Sequence, residues 1–403
     1  MTSADTFSCD ALQTVAQRLL AYCRDRDWVG YDPYDALNSE LLMLVPSVDS
    51  RLPRLAMTQL FKRSPVNLRP IFRVRLLPNP KAIALFLMTF VKLSRSGLAN
   101  QGPAIRDMAD KLIALRSPAQ HYWCWGYSFP WQTRTLLIPR YAPNLVSTTF
   151  VGNGLLDAYE ESANPQYLHA ARGAGDYIVR KLYWTDGTTR ASFAYPAESV
   201  RTPVHNANLL GAAFLCRLHS LHQDKELLDA ALRVARYSAA RQREDGAWEY
   251  GESPTQRWVD NFHTGYNLCA LRSIASHTRS SEFDGDIARG FAFYRQHFFT
   301  DQGAPKYFHD RTYPIDVHSA AQSVITLVAL QDLHPDSIAL AHRVVAWTLR
   351  HMWDARGFFY YQSLPGYTNR IPYMRWSQAW MALALGTLLE EAVQRTASVR
   401  SAA

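Results

Sequence analysis

Three short segments of this chain carry side chains able to move protons. They are His205-Asn206-Ala207-Asn208, Asp260-Asn261-Phe262-His263 and Asp316-Val317-His318. Val204, Val259 and Ile315 precede them at intervals of 55 and 56 residues, and each opens a run of small and apolar residues. Two further polar segments, Asn144 with Ser147-Thr148-Thr149 and Arg375-Trp376-Ser377-Gln378, open similar runs. Histidine is the side chain that titrates near neutral pH, and a carboxylate beside it can orient the ring. One Asn, Asp, Ser or Thr at a helix start needs no function, because it caps free backbone amides. Two to four polar residues per start, with a histidine in three successive segments, exceed that need and predict a functional site.

The segments ahead of these starts add Trp123, Trp125, Tyr127, Trp131, Tyr195, Trp248, Tyr250, Lys306, Tyr307, His309, Tyr360, Tyr361 and Tyr373. Aromatic faces that stack on sugar rings, beside amides, carboxylates and histidines, describe a saccharide site. The expected catalytic set is Asp260, His263, Asp316, His318, Tyr307 and Tyr373. The expected substrate-binding set is Trp125, Tyr127, His205, Asn206, Trp248, Tyr250, Lys306, Tyr361, Arg375 and Trp376. Asp32, Tyr34 and Asp35 form another candidate group, which a turn with self-capping aspartates explains equally well. Neither an HExxH pattern nor a cysteine cluster supports a metal, and no glycine-rich loop follows a strand to cradle a nucleotide. No metal and no cofactor are expected. A G-x-S-x-G nucleophile elbow is also lacking.

Elements that position such residues follow from a repeat. Gly126, Gly187, Gly246, Gly303 and Gly357 are separated by 61, 59, 57 and 54 residues. Each is expected to close an amphipathic helix, before an aromatic cluster and a second, more apolar helix. Leu227, Leu228, Ala231, Leu232, Val234 and Ala235 show the single apolar stripe of an outer helix. The run from Val259 is apolar on most of its surface, as a buried inner helix is. Outer helices are expected to start near Asp10, Pro103, Pro165, Asp224, Asp284 and Asp336. Inner helices are expected near Pro80, Leu145, Val204, Val259, Ile315 and Met374. Six of each predict an all-α (α/α)6 toroid, six helical hairpins in a ring, with short extended pieces in the loops; an open solenoid of helix pairs is the alternative. The toroid is expected to span 1–393 as a single domain, with a basic insertion at 26–79 over one mouth and a disordered tail at 394–403.

Hydrophobic residues are 48% and charged residues 19% of the 403, which suits a large buried core. Aromatic residues reach 12%, enough to fill the space between two helix layers as well as to line a site. Five cysteines, an odd number without CxxC spacing, argue against a disulfide framework. With no signal pattern at the start and no run long enough to span a bilayer, cytoplasm is the expected location. The net charge is +8, from 43 Lys and Arg against 35 Asp and Glu. Arg51, Arg54, Lys62, Arg63, Arg69, Arg73, Arg75 and Lys81 fall in one stretch without an acid, interleaved with Leu60, Phe61, Ile71, Phe72, Leu76 and Leu77. That mixture fits peripheral contact with an anionic membrane at its inner face, an anionic polymer or an acidic partner; a solvated loop has the same composition. Nucleic acid is not expected, because no recognition motif accompanies the charge.

Several segments together resemble bacterial α/α-toroid proteins associated with capsule and exopolysaccharide synthesis. This group is akin to six-hairpin glycosidases, N-acylglucosamine 2-epimerases and glucuronyl C5-epimerases. The segments are Gly30-Tyr31-Asp32-Pro33-Tyr34-Asp35, Arg63-Ser64-Pro65-Val66-Asn67-Leu68-Arg69-Pro70, Cys124-Trp125-Gly126-Tyr127, Asp260-Asn261-Phe262-His263-Thr264-Gly265 and Ile371-Pro372-Tyr373-Met374-Arg375-Trp376-Ser377-Gln378-Ala379-Trp380. The resemblance implies an enzyme acting on an oligo- or polysaccharide or its lipid-linked precursor. The basic balance and the histidines lean this toward epimerisation or elimination at a uronate, with Arg375 and Lys306 holding the carboxylate. Tyr307, Tyr373, His263 and His318 would then move protons, a tyrosine needing a neighbouring cation to act as base. Glycoside hydrolysis by Asp260 and Asp316 is the rival enzyme reading. A noncatalytic toroid that binds glycan or organises a synthase is the third.

Overall fold

The computed structural model describes residues 7–44, 49–98, 101–187 and 189–402. Its helices are α1 (Cys9–Arg24), α2 (Arg51–Arg63), α3 (Pro80–Arg95), α4 (Gly102–Ala114), α5 (Leu145–Ser162), α6 (Pro165–Tyr177) and α7 (His205–His222). They continue with α8 (Lys225–Ala239), α9 (Asn261–Thr278), α10 (Asp284–His297), α11 (Val317–Ala329), α12 (Ser337–Met352) and α13 (Trp380–Ala402). Inner helices α3, α5, α7, α9, α11 and α13 touch in sequence, and α13 touches α3, which closes the ring. Each of α4, α6, α8, α10 and α12 packs outside an inner neighbour, and α1 packs on α13. The fold is the expected six-hairpin toroid, with short antiparallel pairs such as Tyr183–Thr185 with Ala191–Phe193 in its loops.

Local chemistry sets the helix starts. Asp224 accepts from the amides of Glu226 and Leu227, Asn144 from Ser147, and Asn164 from Gln166. One continuous core runs from Leu12 to Leu389 between the two helix layers. Burying large aliphatic and aromatic side chains there is worth roughly 1.5–3 kcal/mol each. Among the described residues, no helix is long and apolar enough to cross a membrane.

Three expectations need correction. The repeating glycines do not end helices: Gly187, Gly246, Gly303 and Gly357 lie several residues beyond, in tight turns with positive φ. At Gly246 (φ +91) an added Cβ would also meet the Arg289 carbonyl oxygen at 2.4 Å. Gly126 belongs to another class; it is needed because a Cβ there would lie 2.0 Å from the Ala142 carbonyl oxygen. The third concerns the tail, where α13 continues as helix to Ala402 rather than becoming disordered. The segment lacks Gly and Pro, and an Arg395–Glu391 pair at 3.6 Å supports its start. Ala403 lies outside the described residues, as does 45–48 of the insertion.

The 26–79 segment holds α2 and a small core of Ala36, Leu42, Phe61 and Val74. Bridges between Gly30 and Leu77 and between Ser39 and Val74 fold it back on itself. Asp32, Asp35 and Arg69 fasten it. Arg69 Nε donates to Asp35 at 2.6 Å and Nη2 to the Asp32 carbonyl at 2.7 Å. The Asp32 carboxylate in turn accepts both Arg375 Nε and Nη2, at 2.6 and 2.9 Å. These aspartates therefore do more than cap their own turn: they tie the insertion to the sixth inner helix.

Candidate functional site

The ring geometry places one residue per inner helix on a common wall. Counting from each N-cap, the second helical residues are Lys81, Val146, Asn206, Phe262, His318 and, in the π-helical turn leading into α13, Arg375. All six line a single cavity of about 210 Å³. Tyr34, Tyr127, Phe129, Trp131, Tyr195, Tyr250, Trp258, His263, Tyr266, Tyr307 and Trp376 complete it. No carboxylate is among these described lining residues. The wall instead carries two cations, two histidines and a wide aromatic surface, including Tyr250 stacked on Trp258 at 4.5 Å.

His263 is held by Asp260. The carboxylate accepts the His263 backbone amide at 2.9 Å and Trp258 Nε1 at 2.8 Å, and meets His263 Nδ1 at 2.7 Å. An ionised acceptor fixes the proton on Nδ1 and leaves Nε2 with a free lone pair, the arrangement of a general base. His318 is set differently. Its ring stacks on Phe262, its Nε2 lies 2.5 Å from Tyr266 Oη, and its Nδ1 has no partner among the described residues. Burial pushes its pKa well below the usual range, and Lys81, Arg375 and His263 push the same way. His318 is thus a neutral imidazole at pH 7. Burial raises Tyr266 and Tyr307 well above 10, so neither is an anionic base.

Lys81 is only 4% exposed, and its Nζ sits over the Phe150 ring at 4.2 Å, with Trp380 at 5.1 Å and Tyr266 at 5.6 Å. Burial lowers its pKa well below 10.5, with Arg375 adding to the effect and Asp32 opposing it. Cation–π attraction favours the charged form, and because no carboxylate pairs directly with Lys81 among the described residues, an anionic ligand would add a counter-charge. Burial pushes the Arg375 pKa down, but the charge and hydrogen bonds of Asp32, with Tyr127 and Tyr34, raise it above its usual range, so Arg375 keeps its proton.

Of the expected catalytic residues, His263, His318 and Tyr307 reach the wall. Asp260 and Asp316 lie behind it, because an N-cap points back along its own helix start. Asp316 accepts His318 N at 2.8 Å, Trp376 Nε1 at 2.9 Å and Gln362 Nε2 at 2.6 Å. Burial raises its pKa to about 6 against those bonds. Tyr373 is buried beneath the Arg69 guanidinium at 4.7 Å, with Tyr361 against its edge at 4.9 Å. Of the binding set, Tyr127, Asn206, Tyr250, Arg375 and Trp376 line the cavity. Trp125 and Trp248 instead brace outer helices, their indoles donating to the Leu112 and Ser238 carbonyls at 2.8 and 3.1 Å. His205 faces Ser238, and Lys306 donates to the His309 carbonyl at 3.1 Å. Lys81 is a cavity cation outside the expected set. Its signal is the place it shares with Asn206, His318 and Arg375 at the second residue of an inner helix. No three metal-ligating side chains converge among the described residues.

No protein-family model and no curated protein matches the sequence. Solved structures match the fold. An unsaturated glucuronyl hydrolase specific for heparin aligns with a TM-score of 0.62 and 13% identity, over 98% of this chain and 97% of its own. A possible member of the GH105 family from Salmonella enterica gives 0.61 and 12%, over 98% and 97%. The cellobiose 2-epimerase of Spirochaeta thermophila gives 0.59 and 14%, over 80% and 87%. At such identities the likeness establishes the (α/α)6 toroid and leaves the chemistry to the site.

Proposed function

We propose that the protein is a carbohydrate-active enzyme that binds an acidic sugar and moves the proton on the carbon next to its carboxylate, by epimerisation or elimination at a uronate. The observation that carries this is the wall itself: Lys81, Arg375, His263 and His318 around one cavity, with no carboxylate among the described lining residues. Toroids of similar fold include an unsaturated glucuronyl hydrolase and a sugar epimerase, so both an acidic sugar and epimer chemistry have precedent on this scaffold. At about 210 Å³ the cavity is smaller than the ~300–1,000 Å³ of most ligand pockets, which suits one sugar residue of a chain.

In this reading Lys81 and Arg375 hold the carboxylate and stabilise the enediolate that forms when the C–H bond breaks. His263 Nε2 takes the proton, and Asp260 stabilises the resulting imidazolium. The Tyr266–His318 pair, which joins α9 to the neighbouring α11, faces the reacting sugar beside His263. Delivery of a proton from that pair to the opposite face of C5 gives the epimer. Delivery to the departing glycosidic oxygen, with formation of the C4–C5 double bond, gives elimination. Hydrolysis by Asp260 and Asp316 is disfavoured, because such a pair must flank the scissile bond and both carboxylates are committed behind the wall. Assembly of a capsule or exopolysaccharide in the cytoplasm is the setting we propose.

Incubation with uronate-containing oligosaccharides in deuterated water tests the reading. Deuterium at C5 without cleavage marks epimerisation, and a new ultraviolet chromophore marks elimination. New reducing ends with neither signal mean hydrolysis and overturn it. Glycan binding without any product favours the noncatalytic toroid instead. Lys81→Met is expected to raise KM for a uronate and leave thermal stability near that of the wild type; unchanged KM would remove Lys81 from the anion site.

A further inference from the structure

The 26–79 segment presents a second feature that the catalytic cavity does not use. Nine of the thirteen exposed large hydrophobic side chains among the described residues fall on residues 41–76 and on the adjoining 131–138 hairpin. Met43, Leu44, Leu52, Val66 and Ile71 are each more than 60% exposed. On α2, Leu52, Ala56 and Leu60 form an exposed stripe at intervals of one helical turn, opposite the buried Thr58 and Phe61. Arg51 and Arg63 flank the stripe, and Arg73 follows on the next loop. These three arginines are exposed and enter no ion pair among the described residues, whereas Arg69 is buried on Asp35 and Arg75 is paired with Glu40. The expected basic stretch is thus divided: Arg69 and Lys81 serve the interior, and a smaller set of cations serves the surface.

The same elements reach the cavity. Lys62 on α2 donates to Tyr34 Oη at 2.8 Å, and Arg54 donates to Gln132 Oε1 in the hairpin at 3.2 Å. Tyr34 and the hairpin residue Trp131 are both cavity wall. We infer that this face seats the protein on an anionic phospholipid surface, with the cavity mouth beside the headgroups. Apolar side chains entering the acyl boundary and cations over acidic headgroups are the two terms that hold an amphipathic helix at an interface. A second copy of the chain is a poorer occupant. A two-fold interface sets a patch against itself, here arginine against arginine. A lipid surface leaves the ring free to act on a glycan carried by a membrane lipid, and the binding does not depend on the identity of that glycan.

Co-sedimentation of the full chain with vesicles tests this. Binding is expected to phosphatidylcholine vesicles containing phosphatidylglycerol and not to phosphatidylcholine alone. It should weaken as salt rises from about 0.1 M to about 1 M, because the screening length falls from ~10 Å to ~3 Å. Arg51→Gln with Arg63→Gln and Arg73→Gln should lower partitioning by on the order of a hundredfold, at about 1 kcal/mol per cation. Leu52→Glu with Leu60→Glu should abolish it with an unchanged melting curve, since both side chains are exposed. Equal binding to neutral vesicles, or none to either kind, overturns the inference. Loss with the arginine variant but not the leucine variant marks a soluble polyanion site and overturns it too. A dimer that the leucine variant dissociates, with no vesicle binding by the wild type, assigns the face to a second copy.

Discussion

The starts of α9 and α11 look interchangeable in sequence and do different work. Each has an aspartate at the N-cap and a histidine in the first turn. In α9 the histidine is the third helical residue, and its ring returns over the cap, so that Asp260 holds both the amide and Nδ1 of His263. In α11 it is the second, about 100° away around the axis. That ring turns into the cavity between Phe262 and Trp380, and Asp316 is left to hold Trp376 and Gln362. His205, the first residue of α7, supplies a third case: its ring points outward to Ser238. Position within a single turn therefore decides whether a histidine is a carboxylate-supported base, a neutral cavity group or a filler of the layer between helices.

The largest expected effect lies on the third-position histidine. His263→Ala should lower kcat on a uronate substrate by roughly 10²–10⁴, the usual worth of a general base. Asp260→Asn should cost less, because the ring stays in place but loses the acceptor that fixes its tautomer. Steady-state kinetics on both variants check this, with circular dichroism to show that α9 still forms. If His263→Ala keeps full activity while Asp260→Asn loses it, the contrast drawn between the two helix starts is wrong.

The fold was legible because it is written locally. Asp224, Asp260, Asp316 and Asn144 are true N-caps, and the observed helix starts fall within two residues of nearly every expected one. The wall was legible in part. Polar first turns look alike in sequence although their positions point in different directions, so nothing in the sequence separates Asp260, Asp316 and His205 from His318 and Arg375. Lys81 was hidden because it precedes the apolar run of α3 and reads as a charged flank. Trp125 and Trp248 have no sequence feature that separates them from Trp131; only packing shows that two brace outer helices and one lines the cavity. The insertion's tie to Arg375 joins residues 343 apart in sequence, which no periodicity reports.

A smaller effect separates the two aspartates. Asp316→Asn should destabilise the protein by about 2–4 kcal/mol, since one amide oxygen cannot serve the indole, Gln362 and the His318 amide together. Its kcat per folded molecule should stay within a few-fold of the wild type, because the carboxylate does not reach the cavity. Thermal melts and active-site-normalised rates measure the two quantities separately. A hundredfold loss of kcat with an unchanged melting temperature would return Asp316 to the catalytic set.

The smallest effect concerns His205 and is read in stability against pH. Burial lowers its pKa from 6.5 to about 4. The unfolded chain then binds a proton between those values and the folded protein does not, so stability present above about pH 6.5 is lost as pH falls toward 4. Between about pH 7 and pH 5.5 the loss from this one group is about 1 kcal/mol. His318 acts in the same direction, whereas Asp316, raised to about 6, acts in the opposite one. A bare wild-type profile therefore mixes signs, and the difference between wild type and His205→Asn isolates the group. Urea unfolding at several pH values should show the variant losing less stability toward acid, with kcat at neutral pH unchanged. A parallel pair of profiles, together with a fall in kcat, would mean that the first-position ring reaches the substrate and that its neighbours, not its place in the turn, decide where it points.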